Sequence, residues 1–116
     1  MIFIIGGAYQ GKTAYAENRF CDGYKIIDSY HLRVKAQLEA GFNPLEEAEK
    51  LIKDMVIAGA DMDRLVVISN ELGYGIVPVD KVEREYREQS GRVNCYLAAK
   101  ADEVIRVVCG IGTRIK

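Results

Sequence analysis

Met1-Ile2-Phe3-Ile4-Ile5-Gly6-Gly7-Ala8-Tyr9-Gln10-Gly11-Lys12-Thr13 decides the fold. Five apolar residues read as a short buried strand. The next eight fit the spacing G-x-x-x-x-G-K-[ST] at every fixed position. From Lys12 to Phe20 the chain has helical character, so the pattern is strand, loop, helix. Each fixed position has a physical reason. Glycines let the backbone curl until successive amides point inward at phosphate oxygens. The following helix turns its free amides and positive dipole end toward the same anion. Lys12 supplies a point charge between β- and γ-phosphates, and Thr13 a hydroxyl for Mg²⁺. A chance glycine-rich turn matching somewhere in such a chain has a probability on the order of a few per thousand. Gly6, Gly7, Ala8, Tyr9, Gln10, Gly11, Lys12 and Thr13 therefore form a candidate site for a purine nucleoside triphosphate.

Downstream the chain alternates between strand and helix signals. Tyr24 to Ile27 is a second apolar run, closed by Asp28. Tyr30 to Ala40 reads as a helix ending at Gly41. Asn43 and Pro44 form an N-cap and an N1 proline, with Glu46 three residues past the cap. The helix they open carries Leu45, Leu51, Ile52, Met55 and Val56, and Gly59 lies past its end. Leu65 to Ser69 is a third strand, and Gly73 to Pro78 a loop. Asp80 caps a long helix whose buried face is expected at Val82, Tyr86, Val93 and Leu97. Glu103 to Cys109 contains a fourth strand, and Thr113 to Lys116 is expected to form a fifth. Strands alternating with helices predict an α/β fold: three layers, α/β/α, around a mainly parallel sheet, in one domain spanning residues 1–116.

Composition bounds the rest. The chain has 116 residues, 49% of them apolar, and a net charge of -1 with acids and bases interleaved. That leaves no electrostatic footprint for nucleic acid or an anionic membrane. The opening apolar run lacks a positive flank and is too short for a signal peptide or a membrane span, so a cytoplasmic protein is expected. Cys21, Cys95 and Cys109 lie far apart and read as reduced, mostly buried thiols.

Phosphoryl transfer also needs an acid to hold Mg²⁺ and a group to orient the nucleophile. In parallel sheets, ligands sit beyond the carboxyl ends of the strands. Asp28 and Ser29 end the second strand, and Asn70 and Glu71 the third, so both acids fall on the phosphate-loop side. Asp28 could instead cap the next helix, and Glu71 be a solvated loop acid. His31 could be a nucleophile carrying a nucleotidyl group. The absence of any visible partner acid or base favours an exposed position in the first turn of a helix.

The C-terminal half carries a resemblance. Val66-Val67-Ile68-Ser69-Asn70-Glu71-Leu72-Gly73-Tyr74-Gly75-Ile76-Val77-Pro78 is followed by Tyr86-Arg87-Glu88, Gly91-Arg92-Val93-Asn94 and Leu97-Ala98-Ala99-Lys100-Ala101-Asp102-Glu103-Val104. Together with Gly110-Ile111-Gly112 and Ile115-Lys116, and with the Gly6–Thr13 loop, this resembles the cobinamide kinase and cobinamide-phosphate guanylyltransferase enzymes of cobalamin biosynthesis. The resemblance implies a RecA-like P-loop fold, GTP or ATP, Mg²⁺, a corrinoid acceptor and a homotrimer. It implies phosphorylation of the aminopropanol hydroxyl of adenosylcobinamide, then GMP transfer through a guanylylated histidine. The basic motif that carries that histidine is not visible, and His31 lies too early to match it. Kinase chemistry therefore carries over more readily than guanylyl transfer. On this reading Lys12, Glu71 and Asp28 are catalytic, Ser29 and Asn70 join the nucleotide contacts, and Thr13 and Glu71 ligate the metal. A non-enzymatic nucleotide-binding or regulatory module on the same scaffold, and a small-molecule kinase with another substrate, remain the alternatives.

Overall fold

The computed structural model describes residues 1–72 and 79–116, and the Gly73–Pro78 loop expectation lies outside them. The chain runs β1 (Ile2–Gly6), α1 (Lys12–Arg19), β2 (Lys25–Ile27), α2 (Tyr30–Glu39), α3 (Pro44–Ile57), a 3-10 turn (Met62–Arg64), β3 (Leu65–Asn70), α4 (Lys81–Lys100), β4 (Glu103–Val108) and β5 (Ile111–Arg114). Among the described residues these strands make one five-stranded sheet, in the order β2-β3-β1-β4-β5. All neighbours are parallel except β4 and β5. Two helices follow one another between β2 and β3, as the lack of a strand signal there predicts.

β1 lies between β3 and β4, and its register explains why it is apolar throughout. Ile4 pairs with Ile68 on one side and Ile105 on the other, while Phe3 pairs with Val67 and Val104. Strand side chains alternate between faces. Ile2, Ile4, Val66, Ile68, Ile105 and Val107 meet Ala16 and Phe20 of α1. On the opposite face Phe3, Leu65, Val67 and Val104 meet Tyr30 and Val34 of α2, Ala48 of α3, and Tyr86, Val93 and Leu97 of α4. The sheet is thus covered on both sides, giving the α/β/α layering of a P-loop nucleotide-binding fold. Each large side chain sealed in these layers contributes about 1.5–3 kcal/mol.

Local signals explain the helix ends. Asn43 Oδ1 accepts from the Leu45 and Glu46 amides at 3.0 and 3.3 Å, which starts α3 at Pro44. Asp80 Oδ1 accepts from Val82 N–H at 2.9 Å and starts α4. Gly41, at φ 82°, ends α2, with the Phe42 amide reaching back to the Gln37 carbonyl at 2.9 Å.

Several expectations need correction. The fifth strand is Ile111–Arg114, two residues earlier than Thr113–Lys116. Cys109 and Gly110 both take positive φ (51° and 75°) and reverse the chain in two residues, so Ile111 already pairs with Val108. Val82 is exposed in the first turn of α4, while Tyr86, Val93 and Leu97 carry its buried face. All three cysteines are exposed free thiols rather than buried ones: Cys21 follows α1, Cys95 lies on α4, and Cys109 is in the turn. Among the described residues, no helix is long and apolar enough to cross a membrane.

Candidate nucleotide-phosphate site

The loop between β1 and α1 is held from both sides. Gly6 ends β1 where no side chain fits: a Cβ there would collide with the Val107 backbone carbonyl. Its own carbonyl accepts from Glu71 N–H at 2.8 Å, joining the ends of β1 and β3. Tyr9 (φ 61°) and Gly11 (φ 86°) supply the left-handed backbone that curls the loop, and the Tyr9 side chain projects fully into solvent. The β4–β5 turn then fastens it. Gln10 accepts through its backbone carbonyl from Gly110 N–H at 2.7 Å and through Oε1 from Cys109 N–H at 2.8 Å. Gly11 passes so close that an added Cβ would lie 3.3 Å from Gly110 Cα.

The first helical bond of α1 runs from Tyr15 N–H to Gly11 carbonyl at 3.0 Å. The amides of Lys12, Thr13 and Ala14 have no partner within the helix and are available to an anion. Lys12 is 8% exposed, and its ammonium donates to the Gly7 carbonyl at 2.6 Å. Burial pulls its pKa below the usual lysine value, opposed by the charges of Asp28 and Glu71. A desolvated ammonium of this kind gains more from a phosphate than an exposed one does.

Around these amides lies a cleft of about 420 Å³, lined by Ala8 to Ala14 with Asp28, Ser29, His31 and Asn70. The fold thus gathers the loop's central residues and the ends of β2 and β3, as the sequence predicts. Gly6, Gly7 and Glu71 are not part of this lining. A larger depression of about 530 Å³ opens at the opposite end of the strands, by Met1, Arg19, Glu103 and Arg114. Arg19 is bonded to Glu103 there at 2.8 Å, so volume does not select the site.

The two acids differ in their engagements. Asp28 Oδ2 accepts from the Thr13 hydroxyl at 2.7 Å. Asp28 Oδ1 accepts from Ser29 N–H at 2.6 Å and from its hydroxyl at 3.3 Å. Ser29, at φ 54°, occupies the N-cap position of α2, so Asp28 precedes the cap instead of forming it. Glu71 is gripped by Arg106, whose Nε and Nη2 donate to its two oxygens at 2.9 and 3.2 Å. Its charge still reaches Lys12.

The Thr13–Asp28 pair offers two hard oxygens beside the cleft. Mg²⁺ is commonly held by one or two protein oxygens together with substrate phosphates, so the donor set fits that ion. Among the described residues no group of three or more His, Cys, Asp or Glu gathers to hold a metal without such help.

His31 is half-buried rather than exposed. Its Nδ1 accepts from Asn70 N–H at 3.3 Å, and its backbone carbonyl accepts from the Tyr86 hydroxyl at 3.1 Å. The Asn70 carbonyl in turn accepts from Asn94 Nδ2 at 3.3 Å. Burial first, and Lys12 second, lower the pKa of His31, while Asp28 raises it. Sequence reasoning missed this contact and the Glu71–Arg106 pair. Only the second had a signal, a lone charge inside the apolar run of β4.

Comparison with known proteins adds a family. The model of the family described as "Cobinamide kinase / cobinamide phosphate guanyltransferase" matches residues 21–115. That match begins after the phosphate loop, so the two observations are independent. Among curated relatives, the "Bifunctional adenosylcobalamin biosynthesis protein CobU" of Salmonella typhimurium is 53% identical over 53 residues, covering 46% of this chain and 29% of the relative. The protein of the same name from Escherichia coli is 51% identical over 53 residues, with the same coverage. "Bifunctional adenosylcobalamin biosynthesis protein CobP" of Pseudomonas aeruginosa is 30% identical over 53 residues, covering 46% and 31%. The matched stretch therefore spans less than a third of each relative's length.

Proposed function

This chain belongs to the cobinamide kinase / cobinamide phosphate guanyltransferase family, and on that premise we propose that it binds GTP or ATP with Mg²⁺ and phosphorylates a cobinamide-type corrinoid. One observation carries the reading: the Gly6–Thr13 loop, pinned at Gln10, aims free amides and a desolvated Lys12 into the same cleft as the Thr13–Asp28 pair.

In the proposed reaction the acceptor hydroxyl attacks the γ-phosphorus and the bond to the β–γ bridging oxygen breaks. The proton leaves to a carboxylate or solvent, and the nucleoside diphosphate departs. Loop amides and the start of α1 hold the phosphate chain. Lys12 offsets charge on the β- and γ-phosphates. Thr13 and Asp28 would hold Mg²⁺, which would neutralise phosphate charge in the transfer. Asp28 takes first place among the acids because its carboxylate already faces Thr13. Glu71, committed to Arg106, serves chiefly to balance Lys12. Ser29 and Asn70 border the phosphates. A cytoplasmic location, read from the short apolar opening run, and a trimer, implied by the family resemblance, belong to the same proposal.

A second reading, a nucleotide-binding module without turnover, draws support from the engagement of Glu71 by Arg106, which leaves fewer groups to orient an acceptor. The test incubates the full chain with Mg²⁺, adenosylcobinamide and GTP or ATP labelled at the γ-phosphate. Label in the corrinoid supports the kinase. Nucleotide binding with no label transferred supports the module. Failure to bind either triphosphate at millimolar concentration sinks both.

A further inference from the structure

We propose that His31 donates from Nε2 to the terminal phosphate of the bound triphosphate, and so sets the preference for triphosphate over diphosphate. The inference rests on the nucleotide-binding reading above. Its starting point is the hydrogen bond that Nδ1 accepts from Asn70 N–H at 3.3 Å. A neutral imidazole that accepts at one nitrogen carries its proton on the other. His31 therefore presents an N–H donor at Nε2, and among the described residues that atom has no protein partner.

Position gives the donor its target. His31 lines the same cleft as Lys12, Thr13 and Asp28, and the charges of Lys12 and Asp28 both act on its ring. Lys12 marks the β–γ junction of a bound triphosphate, and Thr13 with Asp28 are the residues that would hold Mg²⁺ beside it. A donor that shares the cleft with these groups is within the reach of a γ-phosphate. A diphosphate stops short of it. The ring is also fixed at its base: Tyr86 holds the His31 carbonyl, and the flanking Tyr30 and Val34 of α2 are buried. The same tautomer argues against a nucleotidyl carrier, since Nε2 holds a proton where a nucleophile needs a lone pair.

Titration calorimetry with Mg²⁺ and the diphosphate and non-hydrolysable triphosphate analogue of whichever base binds (GDP with GMPPNP, or ADP with AMPPNP) provides the test. His31→Ala is expected to lower the ratio of triphosphate to diphosphate affinity about tenfold, the loss of one hydrogen bond to a charged group in a partly open site. His31→Gln, which keeps an N–H donor at similar reach, should stay within about threefold of the parent ratio. Equal weakening of both nucleotides, or an unchanged ratio, overturns the inference. If the unaltered protein binds neither the guanine nor the adenine pair, the underlying functional reading fails first, and this inference with it. A measurement needing no variant stands beside these: imidazole nitrogen chemical shifts should report the Nε2–H tautomer, and an Nδ1–H tautomer overturns the proposal.

Discussion

Replacing Lys12 with alanine should separate binding from folding. The ammonium is buried and desolvated, and among the described residues its one hydrogen bond runs to the Gly7 carbonyl at 2.6 Å. An ammonium about 4 Å from one phosphate charge gains roughly 4 kcal/mol at an effective dielectric near 20. Binding requires it to give up the Gly7 bond, a charge-assisted contact of about 1.5 kcal/mol. The difference, about 2–3 kcal/mol, corresponds to a 30- to 150-fold loss of triphosphate affinity. Folding should respond oppositely or not at all, because the substitution removes a group that burial disfavours in its charged form. Titration calorimetry with GTP or ATP at saturating Mg²⁺ reads the first quantity, and thermal unfolding without nucleotide the second. Affinity within about threefold of the parent protein, in a variant that melts normally, would refute the placement of the phosphates against Lys12.

Three further outcomes follow from the structure. Gly6→Ala pushes a methyl into the Val107 carbonyl and must part β1 from β4, so urea unfolding should show a loss of about 1–3 kcal/mol; unchanged stability would mean the strands are further apart than described. Asn43→Ala deletes the cap of α3 and should cost about 1 kcal/mol of stability, with triphosphate affinity unaltered because the cap lies away from the cleft. The pH dependence of His31 has a definite sign. Its pKa is lowered below 6.5 in the fold, so the unfolded chain takes up the proton first as pH falls. Its contribution is fully present above 6.5 and is lost as pH drops toward the folded pKa. Urea titrations between about pH 5 and about pH 8 should therefore show a shallower acid decline for His31→Gln than for the parent, and identical slopes would contradict this.

What the sequence could disclose depended on how local the cause was. The β1–loop–α1 unit was legible because phosphate chemistry dictates residue types at fixed spacing. The start of α3 was legible because Asn43 and Pro44 act on amides within three residues. β5 was misplaced because Cys109, an uncommon turn former, takes a left-handed conformation that its side chain does not advertise. The cysteines were misjudged because a thiol tolerates either environment, and only packing decides. The contacts that organise the site are non-local: Asn70 to His31 spans 39 residues and Arg106 to Glu71 spans 35. No periodicity encodes such pairs.

The junction between Gln10 and the Cys109–Gly110 turn has a temporal consequence. On a ribosome, β1 emerges first, yet both of its sheet neighbours come from much later in the chain. The loop cannot be braced until the β4–β5 reversal has left the exit tunnel, about a hundred residues after Gln10. A nucleotide therefore has no finished cradle to join until that turn has emerged, and β1 stays unpaired until the strands that flank it arrive. Such late closure of distant pairings is the kind of topology that folds slowly.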